Sequence, residues 1–550
     1  MRTGSRWTVG RRWQAPLNAA LVALCLFACR AAPAQPAPAA VESDAVAARF
    51  ADPPVSYRTP AFDPGRTSMT SNAELRTFVH ALADDAANVA GTTTTVRLID
   101  VGNSQAGVPL EALHFSRPSA GAPHPAVLLI GQQHGDEPAG AEALLVIARE
   151  LGNGALASAL DRIDVVILPR ANPDGAAARR RASASGIDVN RDHLLLRTPE
   201  AQAIAALVRQ FNPMVVVDAH EFAALERYVE KFGAVQRADA LLQYAMVANL
   251  PPLVTRASEE WFRQPLREAL KGQGLTSEWY YTTSADPADR KVSMGGVQPD
   301  NSRNVNGLRH MVSLLIETRG ADLGHAHLLR RVHTQVTAMA SVLTSAAARA
   351  DDLQRVRRFV DADVAAKACQ GDVIVDAAAT PSEYTLAMLD PQTGADKSLV
   401  VSWDSALALA TRVKRARPCG YWIAADQVDA VLRLRGLGVS VQRVEEGGEM
   451  RGEVYTETAS ELGVRTDLRG SIADGSAGAL RVKVTTAPAL IDAVAGSYYV
   501  GLDQPLAALI VAALEPDSPN SYVSNLIVDS VRALGRVMRR PLTLKTSVVP

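Results

Sequence analysis

Four short apolar runs constrain this chain more than any other feature: Ala126-Val127-Leu128-Leu129-Ile130, Val165-Val166-Ile167-Leu168, Met214-Val215-Val216-Val217 and Val312-Ser313-Leu314-Leu315-Ile316. Each is bounded by turn or polar residues and is nearly all apolar, the pattern of strands covered on both faces. Between them lie Ala- and Leu-rich stretches at helical spacing, Pro138 to Leu151 and Pro199 to Phe211. Both open on Pro near the first helical position, where its missing N–H costs nothing. Strands interleaved with helices predict an α/β layer fold from about residue 70 to 345. Beyond a further helix ending near residue 358 the segments shorten, and Leu432 to Val444 reads as helix, Gly, strand. A second, smaller α+β domain is expected there.

Four chemistry-bearing segments sit directly after these strands or in loops between them, where open α/β sheets place their ligands. Gly131-Gln132-Gln133-His134-Gly135-Asp136-Glu137 offers a ring nitrogen and a carboxylate, two of the three ligands a catalytic zinc takes. Asp218-Ala219-His220-Glu221 offers His220 as the third. Taken singly, each is a common pattern of hydrogen-bonded structural residues. Ile316-Glu317-Thr318-Arg319 ends an apolar strand in a carboxylate, suited to general-base work in a partly desolvated cleft or to a salt bridge at the sheet edge. Asn172-Pro173-Asp174-Gly175, with Arg179-Arg180-Arg181 and Gly186-Ile187-Asp188-Val189-Asn190-Arg191, combines amides with guanidinium forks that match a carboxylate bidentately. Arg179 and Arg180 read as a solvated face.

In order and content these segments, over roughly residues 125 to 320, resemble the zinc carboxypeptidases, a family that includes the digestive carboxypeptidases and bacterial murein-peptide amidases. The resemblance implies a mixed, mostly parallel central sheet with helices on both faces. It implies one zinc ion on His134, Glu137 and His220, with Glu317 as general base toward a zinc-activated water that attacks a C-terminal amide. By the same resemblance Arg181 steadies the oxyanion, Asn190 and Arg191 grip the terminal carboxylate, and Asp188 accepts a hydrogen bond from His134. The family's substrate-contacting tyrosine has no assigned counterpart, since Tyr280 and Tyr281 lie too far upstream of Glu317. In the stretch that builds the family's side-chain pocket, Arg303 is expected at the surface or in a salt bridge; pointing inward, it would favour an acidic side chain. The expected activity is a metallocarboxypeptidase on a peptide or peptide-like substrate with a free carboxylate. The alternatives are an amidase or deacylase on peptidoglycan stem peptides or N-acyl amino acids, or a non-catalytic cell-envelope binding protein.

Arg2, Arg6, Arg11 and Arg12 precede the apolar run Leu17 to Ala28, and small residues follow, the layout of a secretory signal peptide. Leu26-Phe27-Ala28-Cys29 resembles a lipoprotein box and makes Cys29 a candidate lipid anchor, whereas Ala32-Pro33-Ala34 suits ordinary cleavage. A periplasmic, secreted or lipoprotein-anchored protein is expected, with no transmembrane segment. The domain reading is signal peptide 1–34, Ala/Pro-rich linker 35–65, catalytic domain 66–348 and C-terminal α+β domain 349–550. With 57 Lys plus Arg against 58 Asp plus Glu, the formal charge of -1 gives no reason to expect a nucleic-acid partner. Cys369 and Cys419 remain in the mature chain, either as one disulfide or as two buried thiols.

Overall fold

The computed structural model describes residues 42–88, 93–119, 121, 123–472, 478–541 and 544–549. The expected leader, with Cys29, lies outside the described residues. Eight strands build the central sheet: β1 (Thr95–Asn103), β2 (Pro109–Ser116), β3 (Ala126–Gly131), β4 (Asp164–Leu168), β5 (Val215–Phe222), β6 (Ala240–Tyr244), β7 (Ser277–Trp279) and β8 (Val312–Arg319). Their order is β1-β2-β4-β3-β5-β8-β6-β7. The inner strands β4, β3, β5 and β8 run parallel, and antiparallel partners flank them. The fold is thus the mixed, mostly parallel α/β layer arrangement.

Alternation along the inner strands explains the layers. Val127, Leu129, Val217 and Ile316 face one core, shared with helix α1 (Ala139–Asn153) through Leu144, Ile147 and Leu151 and with helix α3 (Leu328–Ala348) through Val332, Met339 and Val342. Leu128, Ile130, Val166 and Val216 face the other core, covered by Ile204, Leu207 and Val208 of helix α2 (Pro199–Phe211). Each fully buried aliphatic side chain contributes about 1.5–3 kcal/mol of transfer free energy. Strand faces covered by helices on both sides leave no polar alternation, which is why these runs read as continuous apolar segments.

Two strands are longer than their apolar runs. β5 continues to Phe222 and β8 to Arg319, because the parallel ladder goes on pairing Glu317 with His220 and Arg319 with Phe222. His220 therefore lies within a strand rather than just after one, and Glu317 stands near the end of its strand as the sequence predicts. A side chain facing a ligand site needs no apolar character, so composition stops marking the strand before the hydrogen bonds do.

Residues 42–65, expected to be linker, are packed onto the fold. Val46 and Phe50 bury against Leu225, Val235, Leu323 and Leu389, and Glu42 pairs with Arg319 and His327. So few anchors carry no periodicity, which hides them in the sequence.

Past α3, helix Ala350–Ala366 leads into a long antiparallel pair, Asp372–Leu389 with Asp396–Ala416, that joins the short strands Val235–Gln236 and Val292–Met294. A seven-stranded sheet follows, including the hairpin strands Gly448–Gly463 and Ala479–Ala493. Within Leu432 to Val444 a helix ends at Gly436 and a strand opens at Gln442, with Gly438 at φ +86° taking the left-handed turn between them. Cys369 and Cys419 form a disulfide. The described residues fall in one compact unit. No helix among them is long and apolar enough to cross a membrane.

Candidate metal centre and active site

Strand register assembles the site. β3 pairs Gly131 with Ala219 of β5, and β5 pairs His220 with Glu317 of β8, so the three segments meet where three adjacent parallel strands end. Immediately past β3 the chain turns through Gln132, a non-glycine residue at φ +50°, held by Arg170 Nε donating to its Oε1 (2.7 Å) and by its own Nε2 donating to Gly135 O (2.9 Å). That turn aims His134 back over the strand ends.

The Asn172-Pro173-Asp174-Gly175 segment serves this loop. Asn172 caps the helix Pro173–Ala178 by accepting from Gly175 N (2.9 Å), and its Nδ2 donates to Gln133 O (3.1 Å). A Cβ on Gly135 would lie 1.9 Å from Gly175 C, so the two loops pack backbone on backbone. Only glycine permits that approach.

His134, Glu137 and His220 converge, their ligand atoms all within 4.8 Å of one another and all buried. His134 Nδ1 lies 2.8 Å from Glu137 Oε1, His220 Nδ1 lies 2.8 Å from Glu137 Oε2, and the two Nδ1 atoms lie 3.0 Å apart. The opposite ring nitrogens face carboxylates: His134 Nε2 is 3.2 Å from Asp188 Oδ1 and His220 Nε2 is 2.8 Å from Asp218 Oδ1. Carboxylates only accept, so with an ion in the site each ring would keep its proton on Nε2 and turn the Nδ1 lone pair toward the ion. A cationic group already reaches this point, since Arg181 Nη1 lies 3.0 Å from His134 Nδ1 and 3.3 Å from Glu137 Oε1. The donor set, two imidazoles and one carboxylate with carboxylates behind the rings, fits a zinc ion.

Electrostatics agree with this arrangement. Burial alone would raise the Glu137 pKa, yet the two histidines bring it well below the usual carboxylate range. Glu317 moves the other way, raised by burial and then by the neighbouring Glu137 charge. Asp188 is buried too, and Arg181 and His134 hold it well below its ordinary value.

The remaining expected residues surround this centre. Arg181 donates from Nε to Asp188 Oδ2 (2.9 Å) and from Nη1 to His134 Nδ1 (3.0 Å) and Glu137 Oε1 (3.3 Å). Asn190 accepts from Ser302 N (2.8 Å) and donates to Asp218 Oδ2 (3.1 Å). Arg191 is engaged by a distant residue: Asp467 Oδ2 accepts from its Nη2 (2.7 Å) and Nε (3.2 Å). Arg179 and Arg180 are exposed. His193 donates to Gln133 Oε1 (2.7 Å), and Gln133 in turn donates to Asp218 Oδ1 (2.6 Å).

A cavity of about 330 Å³ opens beside the centre, lined by His134, Arg181, Asn190, Arg191 and Glu317. Tyr280 lines it too, whereas Tyr281 is buried against Trp403 and Tyr228. Its far walls come from residues that carried no signal in the sequence, among them Ala377, Asp404, Arg412, Asp467 and Arg469. Asp218 carried one: it stands two residues before His220 on one strand face, where a carboxylate can reach the ring.

A sequence model of the zinc carboxypeptidase family matches residues 86–213, a span that holds His134, Glu137, Arg181, Asp188, Asn190 and Arg191 and stops short of His220 and Glu317. The chain is 27% identical over 441 residues to carboxypeptidase 2 of Trichophyton rubrum, covering 76% of this chain and 78% of that protein. It is 38% identical over 115 residues to carboxypeptidase E of Caenorhabditis elegans, covering 17% of this chain and 24% of that one. Among solved structures, carboxypeptidase A of Helicoverpa armigera overlays with a TM-score of 0.40 at 16% identity, over 56% of this chain and 80% of that chain. The matched stretch and these relatives make the chain similar to the zinc carboxypeptidases, which are peptide-bond hydrolases.

Proposed function

We propose that the protein is a zinc-dependent metallocarboxypeptidase that hydrolyses a C-terminal peptide bond, with the ion on His134, Glu137 and His220. One observation carries this reading: two imidazole nitrogens and a carboxylate converge within 4.8 Å, beside Glu317 on the adjacent strand. A zinc ion held there supplies Lewis-acid polarisation of the scissile carbonyl. Glu317, raised in pKa by burial and by Glu137, takes a proton from the attacking water and returns it to the leaving amine. Arg181, oriented by Asp188, presents N–H groups to the charge developing on the carbonyl oxygen. Asn190 and Arg191 hold the terminal carboxylate, which has to share the Arg191 fork with Asp467 or displace it. The Cys369–Cys419 disulfide supports an oxidising, exported location.

The test is Glu317→Gln in protein that keeps its fold and its zinc. Peptidase activity falls by roughly 10²–10⁴-fold, the range of general acid–base catalysis; activity near wild type overturns the reading. A second reading, an amidase or deacylase on peptidoglycan stem peptides or N-acyl amino acids, draws on the occupied Arg191 fork, which leaves terminal-carboxylate recognition at that residue contested. Peptides, muropeptides and acyl amino acids assayed side by side separate the two.

A further inference from the structure

Five arginines line the cavity beside the candidate metal centre: Arg181, Arg191, Arg303, Arg412 and Arg469. Four have a carboxylate partner. Arg181 pairs with Asp188 (2.9 Å), Arg191 with Asp467 (2.7 Å), Arg469 with Asp467 (3.6 Å) and Arg412 with Asp376 (3.9 Å). Arg303 differs. It is buried, neither at the surface nor in a salt bridge, and every partner it has is neutral. Its Nη1 donates to Gln243 Oε1 (2.9 Å), its Nη2 to Gly296 O (2.9 Å) and its Nε to Asn304 Oδ1 (3.4 Å).

Three of its five N–H groups are thereby used, and the guanidinium is held in one orientation with donors to spare. Burial, with no carboxylate in salt-bridge contact, pulls its pKa down to about 10 against the opposing pull of the Glu317 and Asp218 charges, so the cation is kept at an energetic cost. Packing alone gives no reason for that cost, since an apolar side chain of similar volume would fill the site without it. A carboxylate arriving from the cavity would offset it.

We propose that Arg303 determines specificity, receiving the acidic side chain of the residue released by hydrolysis, so that substrates end in Glu or Asp. This rests on the carboxypeptidase reading above, which supplies the free C-terminal residue. A charge-assisted pair formed in a water-poor pocket, set against an amide that leaves the guanidinium uncompensated, discriminates by orders of magnitude.

The experiment uses the zinc-loaded full chain and matched acyl-dipeptides ending in Glu, Gln, Leu or Lys. In parallel it measures binding of N-acetylglutamate and N-acetylglutamine by thermal stabilisation, which requires no turnover. The wild type is expected to favour Glu over Gln by at least about 10²-fold in kcat/KM and to bind N-acetylglutamate selectively. Arg303→Met lowers the rate on Glu and narrows the Glu-to-Gln ratio toward one; Arg303→Lys keeps part of it. Equal rates on Glu and Gln, a preference for Leu or Lys, or an equal loss on Glu and Gln in Arg303→Met overturns the proposal. No turnover of any peptide, with selective N-acetylglutamate binding lost in Arg303→Met, sinks the carboxypeptidase reading while supporting Arg303 as the acid receptor. Equal binding of the two acetyl amino acids overturns the receptor itself.

Discussion

Asp218→Asn tests the logic of the candidate metal centre without touching a proposed ligand. Asp218 is fully buried and its carboxylate takes three hydrogen bonds, from Gln133, Asn190 and His220. With an ion bound, the bond from His220 Nε2 would keep the Nδ1 lone pair directed at it. Asparagine preserves shape and leaves one acceptor oxygen, but it removes the charge and sets an N–H₂ group against the Asn190 amide donor. A hydrogen bond to a charged acceptor contributes about 1.5–3 kcal/mol and a neutral one about 1, so His220 loses about 1–2 kcal/mol as an oriented ligand. Carboxylates behind metal-binding histidines, when replaced, commonly weaken metal affinity 10–100-fold. Zinc dissociation constants for wild type and variant, measured by competition with a chromophoric chelator, should differ by that factor. Melting curves recorded with and without zinc separate this from lost folding, because a general destabilisation lowers both curves. A folded variant whose zinc affinity lies within twofold of wild type refutes the reasoning.

Glu221→Gln leaves the site chemistry alone and strikes its support. Buried Glu221 accepts from Arg331 Nε (2.7 Å) and from Ala139 N at the start of α1 (2.8 Å), so breaking the pair costs about 3–5 kcal/mol in denaturant unfolding; a loss below 1 kcal/mol contradicts this. His193 is buried and burial lowers its pKa from 6.5 to about 4. The unfolded chain therefore binds a proton that the fold refuses, and stability is lost as pH falls from about 6.5 to 4, by about 3 kcal/mol. Relative to His193→Gln, the wild-type melting temperature should drop more steeply in that window; parallel curves would show that His193 takes no part.

The fold was legible because helices cover both faces of the inner strands, and two-sided burial leaves apolar runs that stand out in a one-dimensional reading. The candidate site was legible for a related reason: His134, Glu137, His220 and Glu317 each stand near the end of such a run, at the edge from which an α/β sheet addresses its ligand. Asp218 was visible in principle from its spacing to His220. Residues 42–65 look like linker in the sequence, since Val46, Phe50 and Glu42 anchor that segment singly, without a period.

Local sequence thus determined the strands, the helices between them and the kinds of side chain offered at the strand ends, because burial and backbone pairing act over a few residues. Only tertiary structure decided what those side chains face. That Arg303 has no carboxylate in salt-bridge contact, that Asp467 occupies the fork of Arg191, and that Arg412 and Arg469 close the cavity depend on contacts spanning up to 276 positions. Charge compensation is settled by distance in space, and a single sequence records distance only along the chain.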